Sequence, residues 1–290
     1  MSTSIKPLKG INVLSLSLNL PGPAALLRCT QMGARCVKLE PPSGDPMAAY
    51  KDTAYKVLHQ GVRTVQADLK TPAGQKRLHT ELRKANVLLT SFRPSALKKL
   101  GLQWPALHRQ YPHLSMVSIV GEPGVGAEHP GHDLTYLAGN DLVTGLDLPA
   151  TLFADMGGAL MSSEAVLTAV LHHQAKGKGC FQEIALSEAA AWLALPRAWG
   201  LTKTSGAVGG AHAGYRVYRC KDGRVAVAAL EPHFASALCA VAGIAAKGVK
   251  TMMLPSTHQA LATWFGGQSR KVLDQLAKQH DIPMHTLALV

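Results

Sequence analysis

Aromatic residues are scarce in this chain, at 5% of 290 residues. Proteins that bind single-stranded nucleic acid stack bases on aromatic rings, so the composition argues against that class. The chain has 30 Lys and Arg residues against 18 Asp and Glu, a net charge of +12. These basic residues are scattered, whereas nucleic-acid-binding domains usually concentrate them. We therefore expect a phosphorylated small ligand, with a merely solvated basic surface as the alternative.

Cysteine pairs and long apolar runs are also missing. The five cysteines are odd in number and contain no C-x-x-C, which indicates a reducing, cytoplasmic compartment. The adjacent His172 and His173 have no Cys or carboxylate at ligand spacing, so we interpret them as helix surface and predict no metal site. No apolar run approaches the about 20 residues of a membrane span. Polar residues interrupt the first segment, which predicts a strand rather than a signal peptide. We expect neither a membrane nor a nucleic-acid partner.

Common catalytic signatures are absent. The sequence has no G-x-x-x-x-G-K-[ST], no G-x-S-x-G and no H-E-x-x-H. The G-x-G at 124–126 does not continue to a third glycine before a helix, so it is too weak to predict dinucleotide binding.

Strands and helices alternate along the first part of the chain. Five segments have the pattern of buried strands: INVLSLSL, RCVKLEPP, RTVQADL, NVLLTSF and LSMVSIVG. Helices with start signals such as Thr71 and Pro72 separate them. This alternation predicts a doubly wound, mostly parallel α/β sheet (Rossmann-like) in a large domain at 1–199. A Gly-rich linker is predicted at 200–214, and a hairpin with helices predicts a smaller α+β domain at 215–290.

Asp155 stands just before Gly157 and Gly158, where a long apolar-faced helix is predicted to begin. Asp is a good N-cap, so capping alone explains it. Two glycines in a first turn are unusual, since each costs about 1 kcal/mol in a helix interior. They would let a ligand oxygen approach bare N–H groups at the positive end of the helix dipole. On spacing alone, both a cap and a site stay open.

Two further titratable residues stand at predicted helix starts. His132 lies where a helix is predicted to begin near Gly131, and a lone His there is usually structural. Together with Asp155 it forms a candidate acid–base pair, because His titrates near neutral pH. Glu231 follows a predicted strand, and its position alone favours an ordinary first-turn Glu.

A series of motifs occurs in order along the chain. They are LKGINVLSLS, LPGPAA, MGARCVKLEPPSGDP, ADLKTPAGQ, SFRPSALKKLGL, PGHDLTYLAG, ADMGGALM, KGKGCFQEIALSEA and YRVYRCKDGRVAVAALEPHF. Together they resemble the class III CoA-transferase (CaiB/BaiF) family over about residues 8–240. Within this family they resemble most the α-methylacyl-CoA racemase branch, whose members are isomerases.

The resemblance implies a catalytic trio. GHD-x-x-Y places a catalytic His on His132, AD-x-GG places a catalytic Asp on Asp155, and ALEP-x-F places a supporting Glu on Glu231. The first two would face each other across the α-carbon of a 2-methyl-branched acyl-CoA, one removing a proton and the other returning it. N–H groups around Gly157 and Gly158 would hold the thioester oxygen. Asp133 is then predicted to be structural.

Coenzyme A, carried by the substrate, is the phosphorylated ligand that the resemblance implies, with no prosthetic group and no metal. Lys38, Arg63 and Arg93 match basic positions of the family near CoA. Lys38 and Arg93 also follow strands, at the sheet edge where open α/β sheets bind ligands. Tyr136 lies one helical turn after His132 and would line the same wall, with ordinary packing as the alternative.

Two alternatives to the racemase are retained. In the transferase branch, the residue matching Asp155 is a nucleophile that forms a mixed anhydride with a carboxylic acid, and the GHD motif is usually not kept. The chain also departs from the family pattern, among other positions, at Ser15, His59 and Val62. These departures put CoA affinity in question, and a non-catalytic acyl-CoA-binding paralogue is the second alternative.

The resemblance also implies a homodimer. Family members return to the large domain after the small one, and their two subunits interlock. This chain ends at DIPMHTLALV, about where the return would begin, so the return segment is missing from the pattern. We expect a dimer and leave the interlocking open.

Overall fold

The computed structural model describes residues 5–245 and 249–289. The chain divides into two compact units, Met1–Ala194 and Leu195–Val290. Each unit has its own hydrophobic core. The segment predicted as a linker, 200–214, belongs to the second unit.

A six-stranded sheet organises the first unit. The strands are β1 (Asn12–Ser15), β2 (Arg35–Glu40), β3 (Val62–Gln66), β4 (Val87–Thr90), β5 (Ser115–Val120) and β6 (Phe181–Ala185). Their order is β3-β2-β1-β4-β5-β6, and every neighbouring pair is parallel. The order reverses between β1 and β4, which is the switch point of a doubly wound sheet. The predicted α/β class is confirmed.

The inner strands are buried without alternation. All residues of β4 and β5 are buried, as expected where helices cover both faces of a parallel sheet. Edge strand β3 is different, because Arg63, Thr64 and Gln66 are exposed.

Helices pack on this sheet. They are α1 (Pro21–Gln31), α2 (Pro46–Tyr50), α3 (Asp52–Leu58), α4 (Pro72–Leu82), α5 (Pro94–Lys99), α6 (Trp104–Gln110), α7 (Asp133–Gly139), α8 (Phe153–Lys176) and α9 (Leu186–Leu193). Thr71 caps α4 as predicted, since its hydroxyl accepts a hydrogen bond from the Gly74 N–H at 3.1 Å. Gly177 ends α8 in the left-handed region at φ 69°.

Helix α8 begins earlier than predicted. Its first residue is Phe153 and its N-cap residue is Leu152, which makes Asp155 the third helical residue. The interpretation of Asp155 as an N-cap is therefore wrong.

The glycines of α8 lie where α9 approaches it. A Cβ atom on Gly158 would lie 2.2 Å from Leu186 Cδ2, and one on Gly157 would lie 3.2 Å from Leu193 Cδ1. Close helix packing thus accounts for residues that otherwise cost about 1 kcal/mol each in a helix.

A three-stranded antiparallel sheet forms part of the second unit. Its strands are β7 (Tyr215–Cys220), β8 (Gly223–Ala228) and β9 (Met284–Leu287), with β8 in the middle. The predicted hairpin β7–β8 is confirmed, whereas β9 was missed because only helices were expected near the chain end. The helices are α10 (Leu195–Ala198), α11 (Pro232–Val241), α12 (Pro255–Gly266) and α13 (Arg270–Gln279). Tyr218 stacks on Phe265 in the core, with ring centroids 4.8 Å apart.

No helix in the described parts of the chain is long and apolar enough to cross a membrane. The cysteines are free thiols, and Cys29, Cys36, Cys220 and Cys239 are buried.

Replacing Gly158 tests the helix packing. Gly158→Ala should lower the free energy of unfolding by about 1–3 kcal/mol, because the new methyl group overlaps the buried Leu186 side chain. Gly157→Ala should lower the free energy of unfolding by less, because its Cβ would lie 3.2 Å from Leu193 Cδ1. Gly139→Ala is the control, since its Cβ would meet nothing within 4 Å. Urea denaturation followed by circular dichroism measures all three, and equal stability of Gly158→Ala and wild type would contradict the packing.

Candidate active site

A cavity of about 200 Å³ opens at the carboxyl ends of β1, β4 and β5. Chain segments that follow these strands and the first turns of α7 and α8 build its wall. Because β1 and β4 flank the switch point, this is the crevice in which open α/β sheets bind ligands. Four predicted site residues border it: Arg93, His132, Tyr136 and Asp155.

Helix α1 lacks the donors that bind phosphate in dinucleotide-binding folds. Pro21 and Pro23 have no N–H and occupy two of its first three positions. Gly22, between them, packs closely on Ser17, since a Cβ on Gly22 would lie 2.0 Å from Ser17 Cβ. Although the strand order is that of a dinucleotide-binding fold, the N-terminus of α1 is therefore not an anion-binding site.

His132 is the N-cap residue of α7, in an extended conformation with φ −144° and ψ 168°. Its N–H donates to Thr135 Oγ1 at 3.1 Å, and the Thr135 hydroxyl donates to the His132 carbonyl oxygen at 2.7 Å. This pairing fixes the backbone that carries the imidazole at the border of the cavity.

Asp133 connects the two helix starts. The residue is 5% exposed, and its Oδ1 accepts a hydrogen bond from the Asp155 N–H at 2.9 Å. That N–H lies in the first turn of α8, where a helix has no internal acceptor, and Leu152 at the N-cap offers no side-chain oxygen. Asp133 therefore supplies the missing acceptor, the structural role that was predicted for it.

Asp155 is electrostatically perturbed. Burial, and to a smaller extent the nearby Asp133 carboxylate, raise its pKa, and His132 lowers it, so that the pKa is about 6 instead of the ordinary 3.8. A carboxyl group with such a pKa gains and loses a proton near neutral pH, as general acid–base catalysis requires.

Tyr136 and Arg93 complete the wall. Tyr136 is buried, and its ring lies so close to Gly121 and Gly131 that a Cβ on either would approach its hydroxyl oxygen to 2.2 or 2.6 Å. Burial raises the pKa of Tyr136. Arg93 is exposed and follows β4 as the N-cap residue of α5. The glycine of the GHD motif is thus explained by the ring that packs on it.

Gly157 and Gly158 do not fit the predicted oxyanion role. They are the fifth and sixth residues of α8, where N–H groups bond to carbonyls one turn earlier. The Met156 N–H already donates to the Leu152 carbonyl oxygen at 3.0 Å. Neither glycine is among the residues that border the cavity. Their role is corrected to the packing of α8 on α9.

Lys38 is completely buried, which corrects its predicted phosphate contact. Its ammonium donates to Asp45 Oδ2, lies 3.1 Å from Glu40 Oε1 and lies 2.8 Å from His59 Nε2. These contacts use its three donors. Glu40, Asp45 and His59 could otherwise form a metal site, but the ammonium supplies the positive charge there.

Arg63 also lies away from the cavity. It is the second residue of β3, near the amino end of an edge strand, whereas the cavity opens at carboxyl ends. Its Nη2 donates to Glu81 Oε2 at 2.9 Å. The predicted CoA contact of Arg63 is therefore not part of this site.

Glu231 belongs to the second unit. It is the exposed N-cap residue of α11, at the helix start that the sequence predicted. Its predicted contact with the His132 imidazole stays a prediction.

Two residues of the site, Asn19 and Tyr50, were not predicted from the sequence. Asn19 borders the cavity with φ 63°, and the Tyr50 hydroxyl donates to Asn19 Oδ1 at 3.3 Å. A position just after the first strand of a doubly wound sheet is a signal for Asn19. No signal indicates Tyr50, since its placement depends on how α2 packs.

Comparisons of this chain with a family model and with known proteins point to the same family. The model of CoA-transferase family III matches residues 8–289. Human alpha-methylacyl-CoA racemase is 30% identical over 269 residues, which cover 86% of this chain and 67% of the racemase. Human succinyl-CoA:glutarate CoA-transferase is 26% identical over 78% of this chain and 57% of its own length. The matched region thus spans between about half and two thirds of these relatives.

The fold has a counterpart among solved structures. The crystal structure of a hypothetical protein from Mycobacterium tuberculosis superposes with a TM-score of 0.84 at 22% identity, covering 97% of this chain and 85% of that one. This likeness supports the architecture described above.

Asp155→Asn should stabilise the fold at pH 8. The folded pKa of about 6 lies above the ordinary 3.8, so the folded state keeps a proton that the unfolded state loses, and stability falls as pH rises through this window. At higher pH the charged carboxylate costs at most about 3 kcal/mol, which the amide avoids. Calorimetry should show a higher Tm for the variant at pH 8, with the difference narrowing towards pH 4. The exposed Asp147→Asn is the control, and an unchanged Tm at pH 8 would refute the raised pKa.

Proposed function

Because the chain belongs to CoA-transferase family III, we propose that it is an acyl-CoA racemase that inverts the α-carbon of a 2-methyl-branched acyl-CoA. One observation carries this proposal: His132 and Asp155 border the same cavity at the switch point of the sheet. The CoA thioester is the substrate, and the chemistry that follows needs protein side chains alone.

The reaction is a 1,1-proton transfer. The α-proton of a thioester is weakly acidic, so a positioned base must remove it and the resulting enolate must be stabilised. In one direction the His132 imidazole accepts the proton, and protonated Asp155 delivers a proton to the opposite face. In the other direction the roles exchange. The raised pKa of Asp155 suits both roles, since its protonated and ionised forms are both populated near pH 6.

The electrostatics of the cavity support this chemistry. Asp155 lies in the first turn of α8, where the positive end of the helix dipole favours negative charge that develops on the substrate. Arg93 borders the cavity, and the net charge of +12 attracts the CoA phosphates. We propose a homodimer as the assembly, with Glu231 orienting His132.

A CoA-transferase with Asp155 as nucleophile is the second candidate. Transferases occur among the relatives, and the carboxylate borders the cavity where a thioester carbonyl would bind. In that mechanism Asp155 alone carries the acyl group, and His132 has no required part. The presence of both side chains at one cavity favours proton transfer.

Proton exchange in D₂O tests the racemase. Wild type should incorporate deuterium at C2 of a 2-methylacyl-CoA and invert that carbon, as read by NMR and chiral chromatography. His132→Ala and Asp155→Ala should each slow inversion by about 10²–10⁴-fold, the usual contribution of a general acid or base. His172→Ala, near the far end of α8, should retain activity. Neither exchange nor inversion by wild type would refute the racemase.

Trapping separates the transferase from the racemase. Hydroxylamine added during turnover with a carboxylic acid acceptor should leave Asp155 unmodified, as shown by mass spectrometry of its peptide. A hydroxamate at Asp155 together with CoA transfer would establish the second candidate instead.

A further inference from the structure

We propose that the side-chain amide of Asn19 donates a hydrogen bond to the thioester oxygen, and that Lys38 and Asp45 are positioning residues that hold Asn19 in place. This inference rests on the proposed function and names a substrate-binding group and its support for the same site.

The cavity needs a hydrogen-bond donor for the enolate oxygen. Such donors act best when they are neutral, fixed and aimed at the position where negative charge develops. The N–H groups of Gly157 and Gly158 lie within α8, and two prolines remove donors from the start of α1. Among the described residues that border the cavity, Asn19 carries the only side-chain amide.

Asn19 is held in a special conformation. Its φ of 63° lies in the left-handed region, which Asn tolerates better than most residues. The Asn19 N–H donates to Asp45 Oδ1 at 3.0 Å, and the Tyr50 hydroxyl donates to Asn19 Oδ1 at 3.3 Å. The Asn19 Nδ2 group has no acceptor within the described part of the chain, so both of its hydrogens are available to a ligand.

The neighbourhood of Asn19 is also that of Asp155. Burial raises the pKa of Tyr50, and the carboxylates of Asp45 and Asp155 raise it further. The hydroxyl that contacts the Asn19 amide is therefore within electrostatic range of the proposed proton donor. A neutral amide at the same cavity as this carboxyl group supplies a donor without adding charge.

Asp45 and Lys38 form the support. Asp45 is 2% exposed, and its Oδ1 also accepts from the Met47 N–H at 2.9 Å, which caps α2. Its Oδ2 accepts from the Lys38 ammonium, which is itself 0% exposed. A buried carboxylate without a cation is strongly unfavourable, so the Lys38 ammonium supplies the counter-charge for Asp45 at the place where Asp45 binds the Asn19 backbone.

Variants of Asn19 test the donor. Asn19→Gly keeps the left-handed backbone without strain and deletes the amide, so kcat for inversion should fall about 10²-fold while KM changes little. In Asn19→Asp the carboxylate cannot donate a hydrogen bond, so kcat for inversion should fall by a similar factor. Its second carboxylate should also raise the Asp155 pKa and shift the pH profile upward. Asp281→Gly is the matched control, a left-handed residue at φ 51° outside the cavity, and should keep wild-type rates.

A double-mutant cycle tests the support. Lys38→Met should lower kcat in the wild-type background and have little further effect in the Asn19→Gly background, because its action passes through Asn19. Where circular dichroism shows that Lys38→Met does not fold, Asp45→Asn replaces it in the same cycle. If the double variant loses kcat by the product of the two single losses, the two residues act independently and the positioning role is overturned.

The outcomes of these experiments distinguish failure of the Asn19 role from failure of the proposed racemase activity. Wild type without α-deuterium exchange overturns the racemase and the inference together. Wild type that exchanges normally, with Asn19→Gly equally fast, overturns the role of Asn19 alone. Exchange by wild type with a slow Asn19→Gly and a normal Asp281→Gly supports both.

Discussion

The hydrogen bond from the Asp155 N–H to the buried Asp133 carboxylate is the interaction on which the site depends. It connects the first turns of α7 and α8, and His132 is the immediate neighbour of Asp133. One contact therefore fixes the two proposed proton-transfer groups relative to each other. The same carboxylate also contributes to the raised pKa of Asp155, so placement and tuning come from one buried charge. An N-cap side chain at Leu152 could have satisfied the N–H of α8, but it would not have tied the helix to the residue beside His132.

Another part of the cavity wall is held by a second buried charge. Lys38 acts as an internal cation among Glu40, Asp45 and His59. Asp45, which pairs with this cation, binds the Asn19 N–H in the loop after β1. Buried ion pairs contribute little net stability compared with apolar packing, but they are strongly unfavourable to break. Such a cluster therefore suits a position where a loop must adopt one conformation. The two walls of the cavity share this design, in which a buried carboxylate binds a backbone N–H of a residue at the site.

Much of the fold could be predicted from the sequence, because continuous apolar runs and helix caps are local signals. The start of α8 was misplaced because the sequence Asp-Met-Gly-Gly looks like a helix start, and the Asp133 acceptor comes from another helix. Gly157 and Gly158 were misread for a related reason. A glycine indicates close approach, and the sequence does not say whether a ligand or Leu186 approaches. Lys38 was expected near CoA because it matches a basic position of the family, and the sequence does not show that it is fully buried and paired. Its partner Asp45 follows a turn, and His59 comes from the end of α3. The closeness of His132 and Asp155 followed from motif resemblance rather than from spacing.

The central claim is that His132 and Asp155 serve opposite faces of one carbon, and exchange from single enantiomers tests it most directly. Each pure 2-methylacyl-CoA enantiomer would be incubated in D₂O with His132→Gln and with Asp155→Asn, and deuterium at C2 would be followed by NMR. The account predicts that each variant exchanges the proton of one enantiomer only, with the two variants showing opposite preferences and neither inverting the carbon. Loss of exchange from both enantiomers in one variant, with both retained in the other, would show that a single residue acts alone and would contradict the account.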